Sequence, residues 1–234
     1  MIKFLDVYRQ DKNLHKSIIK DINKLFKKND FILGREVINF ENNFAKFCKS
    51  KYAISCANGT DAITIALKSL NLPDQSEVII PAMTYCSTAF AVINANLKPV
   101  LVDIEYLKPT MNLNDLKKKI TKKTKAIMLI NVLGNSSDLF TIKKIAKKKK
   151  LILIEDNCEA LGSRLKKKYL GSFGDYASFS FYYSHQITSG EGGMVVCNSK
   201  EDYEILFALR SHGWLGGTRF YKRDLNKYEV YARK

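Results

Sequence analysis

The sequence predicts an α/β fold in which a mostly parallel sheet is flanked by helices. Three observations lead there. Short apolar runs that read as strands alternate with segments whose apolar residues recur at helical spacing. The polar residues with chemical potential sit where the apolar runs end, which is where open α/β sheets bind ligands. Finally, 46% of the 234 residues are hydrophobic, enough for a substantial core.

The first element is a helix over residues 11–29, with Leu14, Ile18, Ile22 and Leu25 at helical spacing. Residues 40–47 make a second helical stretch. The first strand-like run is 52–57, and Asn58-Gly59-Thr60 leads from it into a helix over 61–70. Four more strand-like runs follow at 78–81, 99–104, 125–132 and 151–155. Between them stand a helix after Tyr85 and helices over 113–120 and 139–148. From 171 to 196 small and aromatic residues dominate, which reads as strands and loops, and a helix follows at 200–210. There is no internal repeat and no linker, so residues 1–234 are read as one unit of organisation.

The charge is strongly basic: 39 Lys+Arg against 23 Asp+Glu, a net +16. Lysine runs at 117–119, 122–123, 147–150 and 166–168 carry much of it. They fall on helix faces, helix ends and loops, and are not interleaved with aromatics that would stack bases. The expectation is a solvated basic surface, with neither nucleic acid nor membrane as partner. The five cysteines are odd in number and scattered, with no C-x-x-C pair, which fits reduced thiols and neither a disulfide frame nor a metal site. No apolar run approaches bilayer length. The start places Asp6 where a signal peptide needs its apolar core. A cytoplasmic protein is expected.

Three stretches could do chemistry. Gly59-Thr60 ends a strand and opens a helix. Glycine lets the backbone approach an anion, threonine can cap the helix and offer a hydroxyl, and the helix start supplies free N–H groups. The same residues also suit a plain strand–turn–helix cap. Glu155-Asp156 closes a buried-looking strand, where a carboxylate can hold a ligand cation, keep a heteroaromatic nitrogen protonated, or cap the next element. Residues 178–193 crowd hydroxyls, His185 and a glycine-rich turn together. Histidine is the usual acid–base group near neutrality, or a hydrogen-bonded loop residue. His212 reads as a helix C-terminal residue and His15 as a surface one.

Taken in order, several blocks resemble one family, the pyridoxal-phosphate-dependent sugar aminotransferases and dehydratases of the DegT/DnrJ/EryC1/StrS group. They are Phe31-Ile32-Leu33-Gly34, Asn58-Gly59-Thr60-Asp61-Ala62, Pro81-Ala82-Met83-Thr84-Tyr85, Glu155-Asp156-Asn157-Cys158-Glu159-Ala160-Leu161-Gly162, Gly174-Asp175 and the 180–193 segment. The resemblance implies the large domain of the type I aminotransferase fold, with a smaller C-terminal domain missing from the chain. It implies that Gly59, Thr60 and Ser180 hold the cofactor phosphate, that Tyr85 stacks on the pyridine ring, that Asp156 pairs with the ring nitrogen, and that Glu159 lies near the ring hydroxyl. The cofactor would be pyridoxal 5'-phosphate or pyridoxamine 5'-phosphate.

His185 departs from the family's aminotransferases, which have lysine at this place. Lysine bonds the resting cofactor and shuttles a proton; imidazole can only move the proton. The same exchange is known in the 3-dehydratases of nucleotide-linked 4-keto-6-deoxy sugars, whose segment resembles this one. The resemblance therefore implies a 3-dehydratase with His185 as base, or an aminotransferase if another lysine serves, or an inactive truncated remnant. It further implies a nucleotide-diphosphate sugar substrate, an amino donor such as glutamate, a homodimer, and a place in surface-polysaccharide synthesis such as that of O-antigen.

Overall fold

The computed structural model describes residues 12–213, together with Asp6 and Arg9. The Met1 to Leu5 start and the polar stretch from Trp214 to Lys234 lie outside the described residues. The chain divides into two compact units, residues 1–40 and 41–234.

In the first unit, helix α1 (Lys12–Lys28) forms where the periodicity expects it and ends on Lys27 and Lys28, which suit a helix C-terminus. Its apolar stripe is not buried, however: Leu14, Ile18 and Ile22 are each about half exposed. His15 is half-buried, where a surface residue was expected. Helix α2 (Arg35–Cys48) starts earlier than expected because the Asp30 carboxylate accepts the Arg35 N–H at 2.9 Å.

The second unit continues α2 from Glu41 and alternates as the sequence predicts: β1 (Tyr52–Cys56), α3 (Gly59–Ser69), β2 (Glu77–Pro81), α4 (Cys86–Asn94), β3 (Lys98–Val102), α5 (Leu113–Lys119), β4 (Thr124–Ile130), α6 (Leu139–Lys149) and β5 (Ile152–Asp156). A short hairpin, β6 (Arg164–Leu165) and β7 (Lys168–Tyr169), precedes β8 (Tyr176–Ser180), β9 (Gly193–Cys197) and α7 (Lys200–Arg210). The sheet order is β1-β9-β8-β5-β4-β2-β3. β9 runs antiparallel to both its neighbours and every other pair is parallel.

Alternation along each strand feeds two cores. Ile80, Met128 and Ile154 pack with Ala62, Ile63, Val92 and Leu206 on one face. Ile79, Ile127 and Leu153 pack with Leu116, Leu139 and Ile142 on the other. The helices thus cover both faces, and the carboxyl ends of β1, β2, β4, β5 and β8 share one edge.

One polar tie holds α2, β1 and α7 together. Glu41, buried, accepts the Ser55 N–H at 2.9 Å and the Ser55 hydroxyl at 2.8 Å. The Arg210 guanidinium completes the set and also lies over the Phe207 ring at 4.4 Å. Arg210→Met should leave Glu41 buried without its cation, lowering unfolding free energy by about 3–5 kcal/mol in urea titrations. A loss below about 1 kcal/mol would show that this tie is not structural.

Candidate active site

A cavity of about 780 Å³ lies where the carboxyl ends of the strands meet the starts of α3 and α4. Gly59, Thr60, Tyr85, Asp156, Glu159, Ser180 and His185 all line it. The structure therefore brings together every residue to which the family resemblance assigns a role.

At the start of α3 the cap is Asn58 and not Thr60. Asn58 is extended, with φ −163°, and its side chain accepts the Asp61 N–H at 2.8 Å. Thr60 is left to present its hydroxyl, and the first N–H groups of the helix have no intrahelical acceptor. Gly59 packs against the end of β8: a Cβ there would lie 2.9 Å from both Ser180 Cβ and Cys158 Sγ. That close approach, the helix start and the Thr60 and Ser180 hydroxyls form a cradle suited to a phosphate.

The two acids that close β5 separate because successive strand residues face opposite ways. Glu155 is fully buried and accepts N–H groups from Gly171 at 2.8 Å and from Phe173 and Gly174 at 2.7 Å. It anchors a turn and does not line the cavity. Asp156 does. It accepts the Cys158 N–H at 3.1 Å, and the Thr88 and Ser178 hydroxyls approach to 3.4 Å. Burial pushes the Asp156 carboxyl above the usual carboxylate range, with these donors pulling the other way. Burial does the same to Glu155. The Thr88 contact was not legible in the sequence, where this residue sits inside an apolar helix with nothing to mark it.

His185 lies in the loop between β8 and β9. Its N–H donates to Tyr182 O at 3.0 Å, and the loop closes at its base through Phe181 N to Gly192 O at 2.8 Å. Gln186 Nε2 donates to Glu159 O at 2.7 Å, while Glu159 Oε2 accepts the Leu133 N–H at 3.0 Å. The His185 loop is thereby tied to the turns after β4 and β5. Tyr85 precedes α4 and is 75% exposed, so its ring is open to a ligand. Among the described residues lining the cavity none is a lysine, and His185 is the one basic side chain. His212 is exposed just past α7, in the left-handed region at φ 58°, away from this set.

Residues 12–229 match the model of the DegT/DnrJ/EryC1/StrS aminotransferase family. The chain is similar to GDP-perosamine synthase of Escherichia coli O157:H7, at 40% identity over 195 residues, covering 83% of this chain and 53% of that protein. It is similar to GDP-4-keto-6-deoxy-D-mannose 3-dehydratase of Yersinia pseudotuberculosis, at 36% identity over 199 residues, covering 82% and 51%. A solved structure of GDP-4-keto-6-deoxymannose-3-dehydratase with a trapped PLP-glutamate geminal diamine matches with a TM-score of 0.79 at 34% identity, over 84% of this chain and 52% of that one. The fold is the PLP-dependent aminotransferase fold that the resemblance implied. The chain spans about half the length of the curated relatives it matches.

Asp156 gives a pH-dependent test on the ligand-free chain. A buried acid with a raised pKa keeps its proton longer in the folded state than in the unfolded one. It adds stability below its unfolded value of about 3.9 and loses that contribution as pH rises through the folded value. Asp156→Asn should therefore be more stable than the parent at pH 7, with the two converging below about pH 4. Urea midpoints across the range check this, and a variant less stable at pH 7 would contradict it.

Proposed function

We propose that this chain, which belongs to the DegT/DnrJ/EryC1/StrS aminotransferase family, removes the C3 hydroxyl of a nucleotide-linked 4-keto-6-deoxy sugar, using pyridoxamine 5'-phosphate with His185 as base. The family is enzymatic, and the observation that carries the finer reading is the cavity's basic set. His185 occupies the segment where the family's aminotransferases have lysine, and no lysine stands among the described residues around it.

The residues fit the cofactor. The Gly59 backbone, the N–H groups at the start of α3 and the hydroxyls of Thr60 and Ser180 would take its phosphate. Asp156, facing the cavity from a buried position, would meet the ring nitrogen. A cation there offsets the burial that raises the acid's pKa, and the carboxylate in return keeps the nitrogen protonated. Tyr85 offers a flat face for stacking, and Glu159 stands near the ring hydroxyl. When bound, the cofactor supplies an amine that can join the 4-keto carbon and a protonated ring that takes up electrons. His185 holds and moves the proton at the amine-bearing carbon. The Gln186–Glu159 bond keeps the loop that carries His185 against the same end of the sheet as Asp156.

On this reading, residues 1–234 are the N-terminal and large cofactor-binding domain. Glutamate is the amino donor that restores the amine, and a second copy of the chain forms a homodimer. The enzyme works in the cytoplasm on sugars destined for a surface polysaccharide such as O-antigen.

One observation favours a second reading, aminotransfer to a sugar of the same class. The matching family model describes aminotransferases, and a relative not named as a dehydratase matches at higher identity, 40% against 36%. Borohydride separates the two: a single lysine labelled with cofactor would favour aminotransfer and overturn the first reading. His185→Asn should keep saturable cofactor binding yet lose roughly 10²–10⁴-fold in dehydration rate, and unchanged dehydration would exclude His185 as the base. His185→Lys should make the cofactor attachment trappable at that position. Gly59→Ala, which drives a methyl into Ser180 and Cys158, should weaken cofactor binding at least about ten-fold, read by cofactor absorbance.

A further inference from the structure

The lysine runs are separate in the sequence, and the fold gathers two of them with single lysines on β3 and β4. Lys122 and Lys123 precede β4, which carries Lys125; α6 runs into Lys147 to Lys150; β3 opens with Lys98. The strands β3, β2, β4 and β5 are adjacent and in register, Glu77 pairing with both Lys98 and Thr124, and Ala126 with Ile152. These lysines therefore stand together at the amino ends of neighbouring strands. Spacings of about 4.8 Å per strand put the row within about 15 Å. The end of the sheet they occupy is opposite the cavity.

All but the half-buried Lys125 are exposed, and among the described residues none of them makes an ion pair. Acids also stand at this end. Glu77 is buried, with its carboxylate taken by the Thr121 and Thr124 hydroxyls. Asp175 accepts the Leu153 N–H at 2.8 Å, and Asp74, Asp175 and, beside the start of β8, Glu201 are exposed. The cavity has the opposite character: Asp61, Asp156, Glu159 and Glu191 line it without a lysine. Within the sheet's two ends, the lysines of this row stand at the one opposite the cavity.

We propose, against the expectation from the sequence that no membrane is a partner, that this lysine end is a docking surface for an anionic lipid bilayer. Three features favour a bilayer over nucleic acid. Every cation in the row is lysine, a flexible and strongly hydrated point charge suited to diffuse attraction to headgroups, whereas arginine's planar fork suits bidentate phosphate and base contacts. No exposed aromatic lies within these runs to stack a base. The row is built from strand ends and one helix end, and among the described residues no helix or ribbon projects there to enter a groove. Strands of five to seven residues separate this row from the cavity mouth, roughly 17–23 Å. A docked chain therefore keeps its mouth open to water.

The test uses the whole 234-residue chain, cofactor-loaded or not, sedimented with vesicles of phosphatidylcholine alone or mixed equally with phosphatidylglycerol. Binding should require the anionic lipid and fall at least about ten-fold as salt rises from about 0.05 to about 0.5 M. Reversing four charges together (Lys122→Glu, Lys123→Glu, Lys148→Glu, Lys149→Glu) should lower binding at least about ten-fold. Lys166→Glu with Lys167→Glu, in the hairpin beside the start of α6, should leave it unchanged. Glutamine at the same four positions gives the same decision if the reversed chain does not fold. The proposal is overturned if the parent ignores phosphatidylglycerol, if the four changes leave binding intact, or if duplex DNA or RNA strips the chain from vesicles at equal phosphate. The outcome is independent of whether the chain dehydrates a sugar.

Discussion

The site depends on one buried carboxylate that takes no part in it. Glu155 closes β5 and gathers three backbone N–H groups from the turn at 171–174. A turn stripped of water needs acceptors for those groups, and three charge-assisted bonds to one side chain supply them. The turn is thereby fixed against β5, and β8 leaves it in parallel register, with Ile154 beside Tyr176 and Asp156 beside Ser178. That register puts Ser178 on Asp156 and brings Ser180 to Gly59. The neighbouring acid then inherits the opposite face and the cavity. One residue's step along a strand divides the acid that holds a turn from the acid that lines the cavity.

The same division explains what was legible in the sequence. Parallel strands buried on both faces appear as apolar runs, and their ends are marked where polarity returns, so the strand ends could be named; seven of the residues that line the cavity could be named once the family resemblance was added. The sequence left Glu155 and Asp156 undivided, because alternation tells only that they differ and not which face holds the ligand. It assigned the helix cap to Thr60 because both residues are good caps, and the choice of Asn58 turns on a backbone angle. Thr88 was silent, since a buried hydroxyl inside a helix is visible only once β5 lies beside it. The α1 stripe shows the converse. Its period is helical and the helix forms, but periodicity does not say what covers an apolar face.

Electrostatically the cavity is economical. A helix start, two hydroxyls and a glycine backbone suit an anion without any lysine or arginine among the described lining residues. His185 is the one nitrogen base among these lining side chains, and Asp61, Asp156, Glu159 and Glu191 supply the carboxylates. The thiol of Cys158, against Gly59, is held far above its ordinary pKa by burial and by Asp156, and is therefore a packing group and not a competing nucleophile.

The antiparallel strand β9 also governs when β1 can join the sheet during synthesis. Among the described residues β1 touches the sheet through β9 alone, with Tyr52 beside Cys197 and Cys56 beside Gly193. Gly193 in turn lies so close to the Asn58 carbonyl that a Cβ would meet it at 2.1 Å. β1 and the start of α3 leave the ribosome early, yet the strand that pairs with β1 emerges only after β2 to β8. The cradle is consequently assembled only once β9 has been made, after the parallel strands have had time to pair among themselves. Long-range closure of this kind is slow, and a nascent chain spends that interval with an unpaired strand edge on which chaperones or other nascent chains can act.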